Sequence, residues 1–355
     1  MSIQAVNFQI LNTITPRDYG DVRAEYEAIR RGAAVIDLSL AAKLEVRGKN
    51  AVQFINGLVT NDVKSLSPGA GVLAAFLNVQ GKVVSLCRFY RVNNLADDLA
   101  GAHLLIEHDV TNREVIFKNL SRFVPAGEFF VKDVSDDLAL LSVQGPNAAA
   151  VLATVTGQAI EAAPEYRNQN ATIAGHRAFV AAHARAGAMG FDLFVANELK
   201  APVRQALVAA GAVLAGSEAL EIARLEAAIP REGVDVTDAN ILLEAGYDNA
   251  ISYTKGCYLG QEIIARIHYR GQPARQLRGL LIDANELPTK GTELWAADGK
   301  KIGEITSSVH SLALNRIIAL GYVHRYYLAV GTTFTLKRDE AEQGTATIVE
   351  TPFVQ

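Results

Sequence analysis

The last 80 residues, 276–355, constrain the fold more tightly than any other stretch. After Pro273 the runs QLRGLLID, TELWAA, KIGEITSSVHS, RIIALGYVHR, TTFTLKR and TATIVETP follow one another, separated by Gly, Asn and Asp turns and with no helical run among them. Short strands hide their hydrogen-bonding edges by curling into a closed or sandwiched sheet. The sequence therefore predicts a small β unit with a boundary near 275 and no long linker before it.

Upstream the pattern is mixed. DVRAEYEAIRR (21–31) has helical spacing and stops at Gly32, a residue suited to the left-handed position after a helix. Strand-like AKLEVRG and helical KNAVQFINGLVT follow. VLAAFLNV and KVVSLCRFYRV then flank a turn at Gln80 and Gly81, which predicts a hairpin of two largely buried strands, with Cys87 as a small apolar core residue. Between 100 and 216 the strands HLLIEH, EFFVKDV, LALLSVQG, ATIAGHRAFVAAHA and FDLFVA are interleaved with the helices VTNREVIFKNLSRF, PNAAAVLATV and ELKAPVRQALVAAG. Strands in pairs with helices between them predict α+β layers rather than a regular βαβ succession. No Gly-rich dinucleotide or phosphate loop follows any strand. SEALEIARLEAA (217–228) is a further helix, with Ser217 as its N-cap.

Composition narrows the function. At 355 residues the chain exceeds a single core, and with 50% hydrophobic and 20% charged residues it has ample material to bury. A formal net charge of -4 argues against nucleic acid as a ligand, because non-specific binding draws on clustered Lys and Arg. The start, MSIQAVNFQILNTITPRDYGD, lacks a basic region followed by an apolar segment, and no apolar run reaches the roughly 20 residues that span a bilayer. The expectation is a cytoplasmic chain away from membranes, with Cys87 and Cys257 as free thiols.

TKGCYLGQEIIAR (254–266) is the densest stretch in chemistry. Gly260, Gln261 and Glu262 read as the first turn of a helix continuing as IIARI, since carboxylates are favoured at the positive end of a helix. Cys257 then lies just before exposed backbone N–H groups and two residues from Lys255, and both features lower a thiol's pKa. Gly256 and Gly260 permit turns and close approach. The density of polar and flexible residues favours a functional loop that presents a thiol beside a ligand over the alternative of a tight turn with a buried, inert cysteine. A lone Cys holds neither zinc nor an iron–sulfur cluster, so no metal site is expected. Eleven residues along the expected helix separate Cys257 from His268 and argue against a Cys–His pair.

These residues carry a resemblance. KGCYLGQEIIARIHYRG resembles the K-G-C-Y-x-G-Q-E motif of the YgfZ-type folate-binding proteins, relatives of the glycine-cleavage T-protein (aminomethyltransferase) and of mitochondrial iron–sulfur assembly factors. Residues 36–71 look like the superfamily's opening block, AGAMGFDLFV like its T-G-E-x-G-F-E-I block, and ARLEAAIPREG like its R-L-E-A-G block. The resemblance implies an α+β, ring-like T-protein fold: two α+β subdomains over 1–275, a C-terminal β-barrel over 276–355, and tetrahydrofolate in a central channel.

Residue by residue, the resemblance implies the following. Asp192 matches the carboxylate that accepts hydrogen bonds from the pterin, one methylene shorter than Glu; its bland alternative is an outward strand carboxylate. An arginine that contacts the ligand in the transferase falls on Leu220 here. The transferase turn N-x-x-G-G-x-x-D-D carries the acid of aminomethyl transfer, but Ser85 and Leu86 stand in its place, and a hydroxyl neither holds a proton nor stabilises an iminium as a carboxylate does. Asn78, Gln80 and Gly81 of that turn survive. Arg224 is expected to face the ligand or else to pack in an ion pair, and Arg266 or Arg270 to meet the glutamyl carboxylate. The folate-binding set is thus Asp192, Asn78, Arg224, Lys255, Gly256, Tyr258, Gln261, Glu262 and Arg266, with Cys257 as the reactive group. The function implied is a tetrahydrofolate-binding accessory to iron–sulfur enzymes or their assembly machinery; the alternative is a folate-dependent aminomethyltransferase or demethylase.

Overall fold

The computed structural model describes residues 15–92, 102–126, 128–160 and 163–354. The opening MSIQAVNFQILNTI, read above for the absence of a leader, lies outside them. The chain divides into two compact units: 1–79, 84–220 and 249–259 form the first, and 80–83, 221–248 and 260–355 the second. Among the described residues no helix is long and apolar enough to cross a membrane.

The first unit contains two sheets. One has the order β11-β1-β7-β10-β9-β8, from Val213–Leu214 (β11), Ala34–Asp37 (β1), Leu138–Gln144 (β7), Gly190–Ala196 (β10), His176–Ala182 (β9) and Asn168–Ile173 (β8). The other runs β3-β4-β5-β2-β6, from Gly71–Leu77 (β3), Val83–Arg91 (β4), Ala102–His108 (β5), Ala42–Gly48 (β2) and Phe130–Asp133 (β6). The expected hairpin is β3–β4. β1 and β11 were not expected as strands; they pair in parallel at Ala34↔Val213 and Val35↔Leu214.

Helices cover the outer faces. α1 (Val22–Arg31) starts on an Asp21 cap that accepts from Ala24 N–H, and it ends at Gly32 with φ -127, so that glycine is not left-handed as expected. α2 (Ala51–Leu58) and α3 (Arg113–Ser121) bury Val52, Ile55, Ile116 and Leu120 against Leu44, Phe76, Phe89 and Ile106 of the second sheet. Cys87 lies in this core, fully buried. α4 (Ala148–Thr156) and α5 (Lys200–Ala209) cover the first sheet through Val151, Leu152, Val203 and Leu207. Ser217 is the first residue of α6 (Ser217–Glu226) rather than its cap, and its hydroxyl donates to Pro16 O at 3.4 Å.

Between the sheets, Tyr90 and Leu105 of one meet Leu140, Phe179 and Phe194 of the other. Alternation decides which residues arrive there: Cys87 and Phe89 of β4 face the helices, so Arg88 and Tyr90 face the opposite sheet. Lys43, Glu107 and Arg88 form a row across β2, β5 and β4 on that inner side. Arg88 Nη1 donates to Glu107 Oε2 at 2.6 Å, and Arg185 Nη2 lies 3.3 Å from Glu107 Oε1. Burial alone would push the Glu107 carboxyl up, but the Arg88 and Arg185 guanidiniums outweigh it and hold it at about 2. Lys43, fully buried, donates to Ser39 O at 2.8 Å, and burial pulls its ammonium down to about 8.

The second unit centres on a closed barrel, β12-β15-β14-β13-β16-β17, built from Arg275–Asp283, Arg316–His324, Lys301–Ser311, Glu293–Trp295, Thr333–Arg338 and Ala341–Val349 in that order. β17 returns to β12 at Gly279↔Val349, and closure removes the free edges that the short strands would otherwise expose. Leu280, Ile305, Ala319, Phe334, Leu336 and Ile348 fill the interior. α7 (Gln261–Arg270) belongs to this unit, as does the turn residue Gly81. Gly81 has φ +71, and a Cβ there would sit 2.9 Å from Ile263 Cβ.

Two stability measurements check this description. Gly81→Ala places a side chain in the left-handed region against α7, and denaturant melts are expected to show a loss of roughly 1–3 kcal/mol. Glu107, with its folded pKa below the ordinary carboxylate value, contributes stability above about pH 4.5 that is lost as pH falls towards 2. The stability gap between wild type and Glu107→Gln is therefore expected to shrink from about 3 kcal/mol at pH 6 as the acid is titrated; a gap independent of pH would contradict the pairing.

Candidate functional site

The cysteine segment sits in the first unit up to Leu259, and its backbone is tied to the stretch after α2. Thr60 Oγ1 donates to Ala250 O (2.6 Å) and accepts from Ala75 N–H (2.8 Å), Asn61 Nδ2 donates to Asn249 O (2.8 Å), and Ser252 N–H donates to Thr60 O (3.0 Å). Lys255 goes further: its Nζ donates to the carbonyls of Asn56 (2.5 Å), Val59 (2.7 Å) and Asn61 (2.9 Å). All three of its N–H groups are thereby used, leaving none for a thiolate, so the expected direct support of Cys257 gives way to a role as a helix cap. Burial pulls this ammonium down to about 8, with Asp62 opposing. It also lies 5.1 Å from the centre of the buried Tyr258 ring, whose phenol burial pushes up to about 12.

Cys257 is exposed, as the segment's composition implied, in contrast to buried Cys87. Gly256 is not needed for close packing within the protein, since a Cβ there meets nothing within 4 Å. Gly260 is the left-handed cap (φ 81) of α7, and Glu262 stands in its first turn as expected. Gln261, Glu262 and Arg266 all belong to the second unit; Gln261 is half-buried, while Glu262, Arg266 and Arg270 are exposed.

Asp192 is neither outward nor free. It is fully buried on β10, facing Ser142 across the β7 pairing, and accepts from Ser142 Oγ at 2.8 Å. Arg185 grips it with Nε at 2.9 and 3.1 Å and Nη2 at 2.7 Å. Gln144 donates to Ser142 Oγ (2.8 Å) and His183 O (2.9 Å) and accepts from Arg185 N–H (2.9 Å). Gly190 makes room for it, because a Cβ there would come within 2.2 Å of Gln144 Oε1. Arg88 Nε–H donates to His183 Nε2 at 2.9 Å, which leaves the ring proton on Nδ1, 2.9 Å from Glu165 Oε2. Burial, then the charges of Arg88 and Arg185, push His183 well below its ordinary pKa. This ring is held neutral in one tautomer and is poorly suited to shuttling protons.

Ser85 and Leu86 are both buried. Ser85 accepts from the Cys87 thiol at 3.7 Å and shares the core-facing side of β4, and no carboxylate replaces the missing acid at either position. Asn78, half-buried, lies at the end of β3.

In the second unit Arg224 is buried and bonded to protein groups. Its Nη1 donates to Asp235 Oδ2 and Ile229 O, both at 2.9 Å, and its Nε to Glu221 Oε2 at 2.8 Å. The ion-pair alternative holds, but the pair is buried rather than superficial. Asp235 accepts from Ser307 Oγ at 2.7 Å, anchoring the loop after α6 to the barrel. Glu226, also buried, accepts from Ser311 Oγ at 2.6 Å.

Sequence reasoning missed Arg88, Glu107, Lys43 and Arg185. The signal was present for two of them: a single charge inside an apolar strand run, as in LLIEH and SLCRFY, marks a buried partner more often than a solvated face.

Comparison with known proteins gives the lineage. The GCVT N-terminal domain matches residues 3–255, and the Glycine cleavage T-protein C-terminal barrel domain matches residues 275–355. The Aminomethyltransferase of Symbiobacterium thermophilum is 32% identical over 349 residues, 95% of this chain and 90% of that one. The Aminomethyltransferase of Streptomyces coelicolor is 29% identical over 324 residues, 89% of this chain and 85% of that one. The crystal structure of the glycine cleavage system aminomethyltransferase T from Bartonella henselae superposes with a TM-score of 0.83 at 22% identity, covering 96% of this chain and 91% of that one, a likeness of fold. With the two family models together matching residues 3–255 and 275–355, the chain belongs to the glycine-cleavage T-protein family.

Proposed function

We propose that this chain binds tetrahydrofolate and acts on a one-carbon unit carried by it, as a folate-dependent transferase or demethylase of the T-protein type. The observation carrying this reading is the similarity to aminomethyltransferases along 89% to 95% of the chain, through both of the family's domains. The names of these relatives favour it over the iron–sulfur accessory role expected above.

A second reading is kept because two residues favour it. Ser85 and Leu86 leave the transferase acid without a counterpart, and Cys257 is an exposed thiol in a motif resembling that of the YgfZ-type proteins. On this reading folate is bound while Cys257 supplies the chemistry that supports iron–sulfur enzymes. Without an acid, attack on an aminomethyl carrier loses a proton-transfer contribution of typically 10²–10⁴-fold.

Purified protein, given tetrahydrofolate with an aminomethyl or N-methyl amine donor, separates the two. Formation over many turnovers of methylene-tetrahydrofolate and ammonia from the aminomethyl donor, or of methyl-tetrahydrofolate and the demethylated amine from the N-methyl amine, is the result expected of the first reading, and Ser85→Asp or Leu86→Asp is expected to raise it. No turnover in either form, together with loss of iron–sulfur enzyme activity in cells carrying Cys257→Ser, would overturn it in favour of the second.

A further inference from the structure

Lys255 brings a cation to carbonyls that lie within six residues of one another. Asn56 O belongs to the last turn of α2, Val59 is its C-cap residue, and Asn61 O follows two residues later; the three approach Nζ at 2.5, 2.7 and 2.9 Å. The last carbonyls of a helix have no partner within it and carry the negative end of its dipole. A left-handed glycine often satisfies them, but Val59 is extended (φ -118, ψ 161) and Thr60 follows. Asp62 is the charged group that raises the ammonium's proton affinity, and the Tyr258 ring lies 5.1 Å from Nζ. A primary ammonium offers three N–H groups to three converging oxygens; a planar guanidinium does not.

We propose that the carbonyls of Asn56, Val59 and Asn61 form a cation cradle closing the C-terminal end of α2, that Lys255 is its tethered occupant, and that this tie positions Cys257. The sequence separation of 196 residues between Lys255 and Val59 makes it a long-range clasp, two residues from the thiol. The functional meaning of the clasp rests on the reading in which Cys257 is the working group; the cradle itself does not.

Lys255→Ala in the full chain empties the cradle, and propylammonium chloride can then refill it. Hydrogen exchange of the amides in 56–61 and 252–257 is expected to accelerate by about ten- to hundredfold, with the barrel amides unchanged. The alkylation rate of Cys257 is expected to change while that of buried Cys87 does not. Propylammonium is expected to return both readouts towards wild type, whereas tetramethylammonium, which has no N–H to donate, is not; Lys255→Arg is expected to behave like the alanine variant. Exchange and alkylation equal to wild type in Lys255→Ala, or a loosening that propylammonium and tetramethylammonium affect alike, would overturn the proposal. If Lys255→Ala does not fold, refolding yields in the two salts decide in the same way: a gain with propylammonium alone supports the cradle, and equal yields refute it. Failure here leaves the accessory reading standing, since that reading falls with Cys257→Ser in cells.

Discussion

The carboxylate of Glu107, held between the guanidiniums of Arg88 and Arg185, is the interaction on which the first unit turns. Removing three charges from water costs several kcal/mol per ion unless geometry and further hydrogen bonds compensate. Compensation comes from both sheets: Arg88 reaches His183, Arg185 reaches Asp192, and Asp192 reaches Ser142. A slip of one residue in β4 would turn Arg88 into the apolar helix-facing core and Phe89 into the polar layer, so the network and the register specify each other. The same arrangement determines what the acids are free to do. Glu107 and Asp192 are both committed to arginines, which is why the buried layer reads as a scaffold rather than as a source of protons.

The two cysteines show how position sets chemistry. Cys87, one strand residue from Arg88, points into the core beneath α2 and α3, shielded from oxidants and metals. Cys257 lies on an exposed loop stitched to the end of α2 by hydroxyl, amide and ammonium groups. Lys255 and Tyr258 flank the thiol and are both partly or fully buried, so the loop pairs an exposed thiol with anchored neighbours. Anchoring of this kind lowers the entropy of presenting a side chain to a ligand.

Much of the architecture was legible because it rests on local periodicity. Turn residues between the last six strands announced a closed or sandwiched β unit, which the resemblance narrowed to the barrel observed, and the spacing in DVRAEYEAIRR located α1 to within a residue. β1 and β11 escaped because four- and two-residue strands carry too little pattern, and they exist through pairing with distant segments. The site was legible as residue types and not as partners. GCY on a loop correctly implied an exposed thiol, but nothing local reveals that Lys255 reaches back to Asn56, that Arg185 occupies Asp192, or that Arg224 is taken up by Asp235 and Glu221. These are long-range pairings, and composition specifies only that some partner must exist.

The chain is a T-protein-family framework whose inner carboxylates are paired with arginines and whose β4 carries Ser85 and Leu86, and the proposal made for it is that it binds tetrahydrofolate. Equilibrium dialysis of tetrahydrofolate against the purified chain tests that most directly. Saturable binding of one tetrahydrofolate per chain is the predicted result; binding that stays unsaturated up to concentrations on the order of millimolar, where association is worth only about 4 kcal/mol, would contradict it.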